Sequence, residues 1–173
     1  MKNKKRLLLF ISLATLLVVS GCGKTVPLDA AKVLSDTATY KDGAKIGISI
    51  DHSTWCAEVV RSSEAEKTGL SGREGITKGT GMVFLFDTAS YTSFWMKDMK
   101  FDLDILWIQD HQVVDVSRNV VHPQGVVDDA SLPRYTPKTP ANFVLEVGAG
   151  EAQEIRVGDY VNYNASCDET PSS

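Results

Sequence analysis

Apolar positions along this chain fall into one long block near its start and a series of short ones after it. The long block is "LLLFISLATLLVV", residues 7–19. The short blocks "KIGISI" (45–50) and "TWCAEVVR" (54–61) are rich in β-branched and aromatic residues, as strands are. A helix is expected to start at Ser63, because Ser63 and Glu66 have the spacing of a capping box and Gly69 supplies a stop. "GLSGREGITKGTGMVFLF" (69–86) packs five glycines into residues 69–81, which predicts tight turns before a strand at about 82–86.

The stretch "FWMKDMKFDLDILWI" (94–108) poses the sharpest question. At period two, Trp95, Met99, Phe101, Leu103, Ile105 and Trp107 share a face on which Lys97 is the single charge. A polar turn from Asp98 to Asp102 resolves part of the conflict, since it divides the stretch into two strand pieces, "FWM" and "LDILWI". A hairpin follows, with strands near 103–109 and 112–117 turning at Asp110-His111. Residues 123–140 hold four of the six prolines and form a long irregular loop, the kind of connection that often binds. "ANFVLEVGAG" (141–150) and "RVGDYVNYNAS" (156–166) supply the last strands. The expected architecture is mainly β: a single compact barrel-like or sandwich-like β domain with one or two short helices.

The first block has a different use. With the basic "MKNKKR" before it and "VSGC" after it, it resembles a bacterial lipoprotein signal, in which Cys22 takes the lipid and becomes the first mature residue. At 13 residues it is shorter than the ~20 a membrane-spanning helix needs. The chain therefore divides into a signal peptide (1–21), a lipidated N-terminus and tether (22–43), a folded β domain (44–165) and a C-terminal tail (166–173). Gly23 after Cys22, rather than aspartate, resembles outer-membrane sorting; the expected address is the cell membrane or outer membrane, facing the extracytoplasmic side.

Cleavage removes Lys2, Lys4, Lys5 and Arg6, leaving 14 of the 18 basic residues against all 22 acidic ones. No clustered basic surface is visible, so nucleic acid is not an expected partner. Gly23-Lys24-Thr25 resembles the tail of a phosphate-binding loop, but Val18 stands where its first glycine belongs. Cys56 and Cys167 remain once Cys22 is lipidated. Outside the cytoplasm they are expected to form a disulfide closing a loop of about 110 residues, worth about 4–5 kcal/mol in the chain-entropy model. Two separate thiols are the alternative.

Taken in order, "TGLSGRE" (68–74), "GMVFLF" (81–86), "FWMKDMKFDLDILWI" (94–108), "YTPKTPANFVLEVGAG" (135–150) and "VGDYV" (157–161) resemble the family called domain of unknown function 192. The resemblance spans about residues 44–163. It implies a small mainly β domain, often exported or membrane-tethered, with no activity to transfer. Two positions depart from the family pattern: Ser71 where methionine is usual, and Asp102 where proline is usual.

The polar residues inside those motifs are Arg73, Lys97, Asp104 and Glu146, each flanked by apolar sequence. A buried charge must be paired, hydrogen-bonded or neutralised. One reading makes the four into internal salt bridges. The other gathers them in one pocket walled by Trp95 and Trp107, suited to an anionic group through Arg73 and Lys97. No metal site or cofactor is expected, since no spaced Cys/His set exists, and His122, opening the proline-rich loop, is the one histidine of interest. The expected function is a lipid-anchored cell-envelope protein, attached to the membrane through Cys22, that binds a small polar or anionic ligand or an envelope protein. Alternatives are an envelope hydrolase acting on glycan or another polar substrate through Asp104, Glu146 and Lys97, and a structural assembly factor.

Overall fold

The computed structural model describes residues 40–125, 128–164 and 167, so the leader, Cys22, most of the tether and the tail around Cys167 lie outside the described residues. Among the described residues, seven strands and one helix follow in the order β1 (Lys45–Ile50), β2 (Ser53–Val60), α1 (Ser63–Thr68), β3 (Thr80–Ser90), β4 (Leu103–Gln109), β5 (Gln112–Val120), β6 (Ala141–Gly148) and β7 (Val161–Asn164). A short 3₁₀ turn, Asp129–Ser131, lies in the proline-rich loop. The strands form one sheet in the order β5-β4-β6-β3-β2-β1-β7. All its pairs are antiparallel except β2 with β3, whose crossover holds α1 and the glycine-rich connection.

The sheet curls into a half-barrel. Its two edges meet at one end, where Val113 N–H donates to Asp159 O and Gly158 N–H to Val113 O, both within 3.0 Å. Farther along β5, Arg118 donates to the carbonyls of Ala152 and Ile155, so this edge is covered. The two-residue turns at Asp51 and Asp110 have positive φ, as tight hairpin turns require.

Curling gives the sheet two buried faces. Inside lie Ile46, Ile48, Trp55, Leu106, Leu145 and their neighbours. Outside, Met82, Phe84, Ile105, Trp107 and Val144 are covered by Leu70 and by Met96 and Met99 of the segment before β4. β4 is consequently buried on both faces from Leu103 to Ile108, which is why "LDILWI" lacks polar alternation.

Local expectations shift in two places. The N-cap of α1 is Ser62, not Ser63: Ser62 Oγ accepts the Ala65 N–H at 3.2 Å. The predicted "FWM" strand shrinks to one bridge, Phe94 with Tyr135, because the chain turns at Met96–Met99. Asp98 sits in that turn with φ +55°. Lys97 therefore belongs to a turn and never faces the core. Cys56 and Cys167 form the expected disulfide, with Cα atoms 5.6 Å apart.

Candidate functional site

The motif charges have four separate fates. Asp104 is fully buried on β4 and accepts three backbone N–H groups: Asn119 at 2.7 Å, Gly150 at 3.0 Å and Ala152 at 2.9 Å. These N–H groups replace the water the carboxylate lost, and they tie a distortion of β5 to the turn after β6. Asn119 itself has φ +50°. Both Asp104 oxygens are thereby occupied.

Glu146 stands on the outer face of β6, opposite Met82 of β3 and Ile105 of β4. It is 6 % exposed, and no hydrogen bond or ion pair reaches it among the described residues. Burial alone raises its pKa from 4.5 to about 8, so the carboxyl stays protonated at neutral pH. Arg73, on the connection after α1, makes a bidentate pair with Glu58 of β2 at 3.0–3.1 Å. That pair lies over a hollow of about 200 Å³ bounded by Lys45, Cys56, Ile76 and Thr80.

Lys97 is elsewhere, paired with Asp129 of the proline-rich loop. That hydrogen bond raises the lysine pKa and keeps it charged. The expected tryptophan walls are also apart. Trp107 is fully buried, its Nε1 3.3 Å from Ser117 Oγ, whereas Trp95 carries the Arg134 guanidinium 3.7 Å above its ring. Arg73, Lys97, Asp104 and Glu146 are thus not gathered around one cavity.

The structure does build a site around Lys97. Ser71 Oγ donates to Lys97 O at 2.8 Å and Gly72 N–H to Asp98 O at 2.9 Å, so the "TGLSGRE" loop holds the "WMKDM" turn from behind. The proline-rich loop passes in front. Between them lies a pocket of about 360 Å³ lined by Gly72, the turn from Lys97 to Lys100, Pro123, Gly125, Asp129 and Leu132. Its polar groups include two ammoniums, Lys97 and Lys100, the latter paired outward with Glu74. Met99 and Leu132 supply an apolar lining.

One pair near the start of the proline-rich loop was not anticipated from sequence. Asp102 Oδ1 accepts the His122 backbone N–H at 2.9 Å and lies 2.6 Å from His122 Nδ1. The His122 bonds, backbone first, lower the Asp102 pKa. The hairpin register gives only part of the signal: Leu103 faces Val120, which sets Asp102 opposite Val121, and the contact with His122, one residue farther on, forms where the two strands diverge. Among the described residues, no group of three His, Cys, Asp or Glu side chains is placed to hold a metal ion.

A family model described as "Uncharacterized ACR" matches residues 46–163. No curated protein matches the chain. Two solved structures share the fold. One is a protein of unknown function from Novosphingobium aromaticivorans DSM 12444, 24 % identical with a TM-score of 0.58, over 68 % of this chain and 83 % of that one. The other is a proposed transcription regulator from Sinorhizobium meliloti 1021, 21 % identical with a TM-score of 0.62, over 72 % of this chain and 97 % of that one.

Proposed function

The chain belongs to the DUF192 family, and on that premise we propose that it is a lipid-anchored cell-envelope protein whose β domain binds a small anionic ligand beside Lys97. The observation behind this reading is the pocket of about 360 Å³ at the junction of two motif segments and the proline-rich loop. It combines apolar lining with a few charged groups, as small-ligand sites do. Lys97 is now held by the chain's own Asp129, whose side chain is 49 % exposed. A ligand carboxylate or phosphate exchanges with Asp129, which returns to water, and no charge is left buried and unpaired.

The anchor rests on the leader pattern ending at Cys22. The Cys56–Cys167 disulfide suits the oxidising side of the membrane. Binding of nucleic acid, suggested by the description of one structural relative, finds no support in this chain's acidic balance. A hydrolase built on Asp104 and Glu146 finds little support, because Asp104 is saturated by backbone N–H groups and Glu146 is buried between Met82 and Ile105 in the sheet, away from Asp104's donors.

Thermal melting of the full chain in detergent, with succinate, inorganic phosphate and a panel of envelope metabolites, tests the reading. A ligand at a hundredfold excess over its Kd adds about 2.7 kcal/mol of stability. At least one anion is expected to raise Tm by several degrees in the wild type and not in Lys97→Met. Equal shifts in both proteins, or none, contradict the assignment.

A further inference from the structure

We propose that the ligand taken beside Lys97 is a small dianion such as a dicarboxylate, and that its second anionic group is gripped by Arg134 on the face of Trp95. The inference rests on the reading of the Lys97 pocket as a ligand site and names the class of ligand it takes. Two cations share one indole: Lys97 Nζ lies 5.4 Å and the Arg134 guanidinium carbon 3.7 Å from the centre of the Trp95 ring. The same two chain segments bound the pocket, since Lys97 and Leu132 line it and Arg134 follows Leu132 by two residues. A short molecule with an anionic group at each end is the ligand that engages both cations.

The backbone beneath this arginine is fixed. Phe94 N–H donates to Tyr135 O at 2.8 Å and Tyr135 N–H to Phe94 O at 2.9 Å, so Trp95 and Arg134 flank a two-bond bridge. Phe94 packs edge-to-face on Phe84 and Trp107, and Leu132 is buried. The indole holds the guanidinium by a cation–π contact, which lowers the entropy lost when a ligand orders that side chain. Arg134 also differs from Arg61, Arg73 and Arg118 in how its donors are used. Arg61 donates to Asp87, Arg73 to Glu58, and Arg118 to the carbonyls of Ala152 and Ile155. Among the described residues the Arg134 side chain has no hydrogen bond or ion pair, only its contact with Trp95. Lys97 is matched by Asp129, with Asp98 adding to the field, whereas no described carboxylate pairs with Arg134. Arg134 is exposed, and with its face on the ring its N–H edge is free to form two parallel hydrogen bonds to one carboxylate or phosphate. The sequence had set Arg73 beside Lys97 and Trp95; the fold puts Arg134 there instead.

The probes are succinate and succinamate, in which an amide replaces one carboxylate at the same size, titrated calorimetrically into the full chain in detergent. Succinate is expected to bind about tenfold or more tightly than succinamate, the gain of a charge-assisted pair. Arg134→Met is expected to abolish that preference, to leave the affinity for succinamate in place and to melt as the wild type does without ligand. Arg134→Lys keeps the charge but loses the fork, and is expected to restore only part of the preference. Wild type that does not prefer succinate, or a preference undiminished in Arg134→Met, overturns the proposal. Lys97→Met scores the pocket reading separately. If it loses both ligands while Arg134→Met changes nothing, the dianion inference alone fails. If neither ligand binds the wild type, or Lys97→Met binds both as the wild type does, both readings fail.

Discussion

Glu146 is the residue whose behaviour departs furthest from its ordinary chemistry. Its folded pKa is raised to about 8 while an unfolded glutamate titrates near 4.5. Between those values the unfolded chain has lost the proton that the folded chain keeps. Stability is therefore fullest below about pH 4.5 and falls as pH rises towards 8. Glu146→Gln removes the titration and keeps the shape. It is expected to melt close to the wild type at pH 4.5 and to be more stable at pH 8, by on the order of 4 kcal/mol, as urea unfolding at the two pH values will measure. Asp104, one strand away, is also buried, yet it is satisfied by three N–H donors. Sequence marked both as buried charges needing an answer. It could not distinguish the two answers, because the donors to Asp104 are backbone groups 15 to 48 residues away, invisible to side-chain pattern.

At the scale of elements, most of the fold was legible. β-branched and aromatic richness located β1 and β2, the Asp110-His111 turn located the β4–β5 hairpin, and the absence of alternation in "LDILWI" follows from burial on both faces. What escaped was the chain between elements: the cap one residue earlier at Ser62, and the loss of the "FWM" strand to the Met96–Met99 turn. Turn geometry of that kind depends on the loop behind it, here Ser71 and Gly72. The pairing of β3 with β6 carries a further constraint. A Cβ added to Gly81 would stand 2.9 Å from the Glu146 carbonyl and 3.1 Å from Leu145 Cδ1. Backbone cannot yield as a flexible side chain does, so Gly81→Ala is expected to cost about 1–3 kcal/mol in denaturant unfolding.

For the molecule as a whole, the disulfide ties the C-terminal tail to β2 across 111 residues. Reduction is expected to lower stability by about 4 kcal/mol, read from unfolding with and without a dithiol reductant, and to add the mass of two protons. The half-barrel carries the proposed site on the outer side of the sheet, where two motif segments and the proline-rich loop converge. The same architecture separates Arg73 from Lys97, which the sequence pattern had allowed to share a pocket. Arg73 belongs with Glu58 over its own hollow, and Lys97 belongs with Asp129 at the larger pocket. Isothermal titration of the best stabilising anion into wild type, Lys97→Met and Arg73→Met puts that separation, and the binding site itself, to a direct test. The predicted result is binding retained in Arg73→Met and lost in Lys97→Met; binding lost in Arg73→Met and retained in Lys97→Met would contradict it.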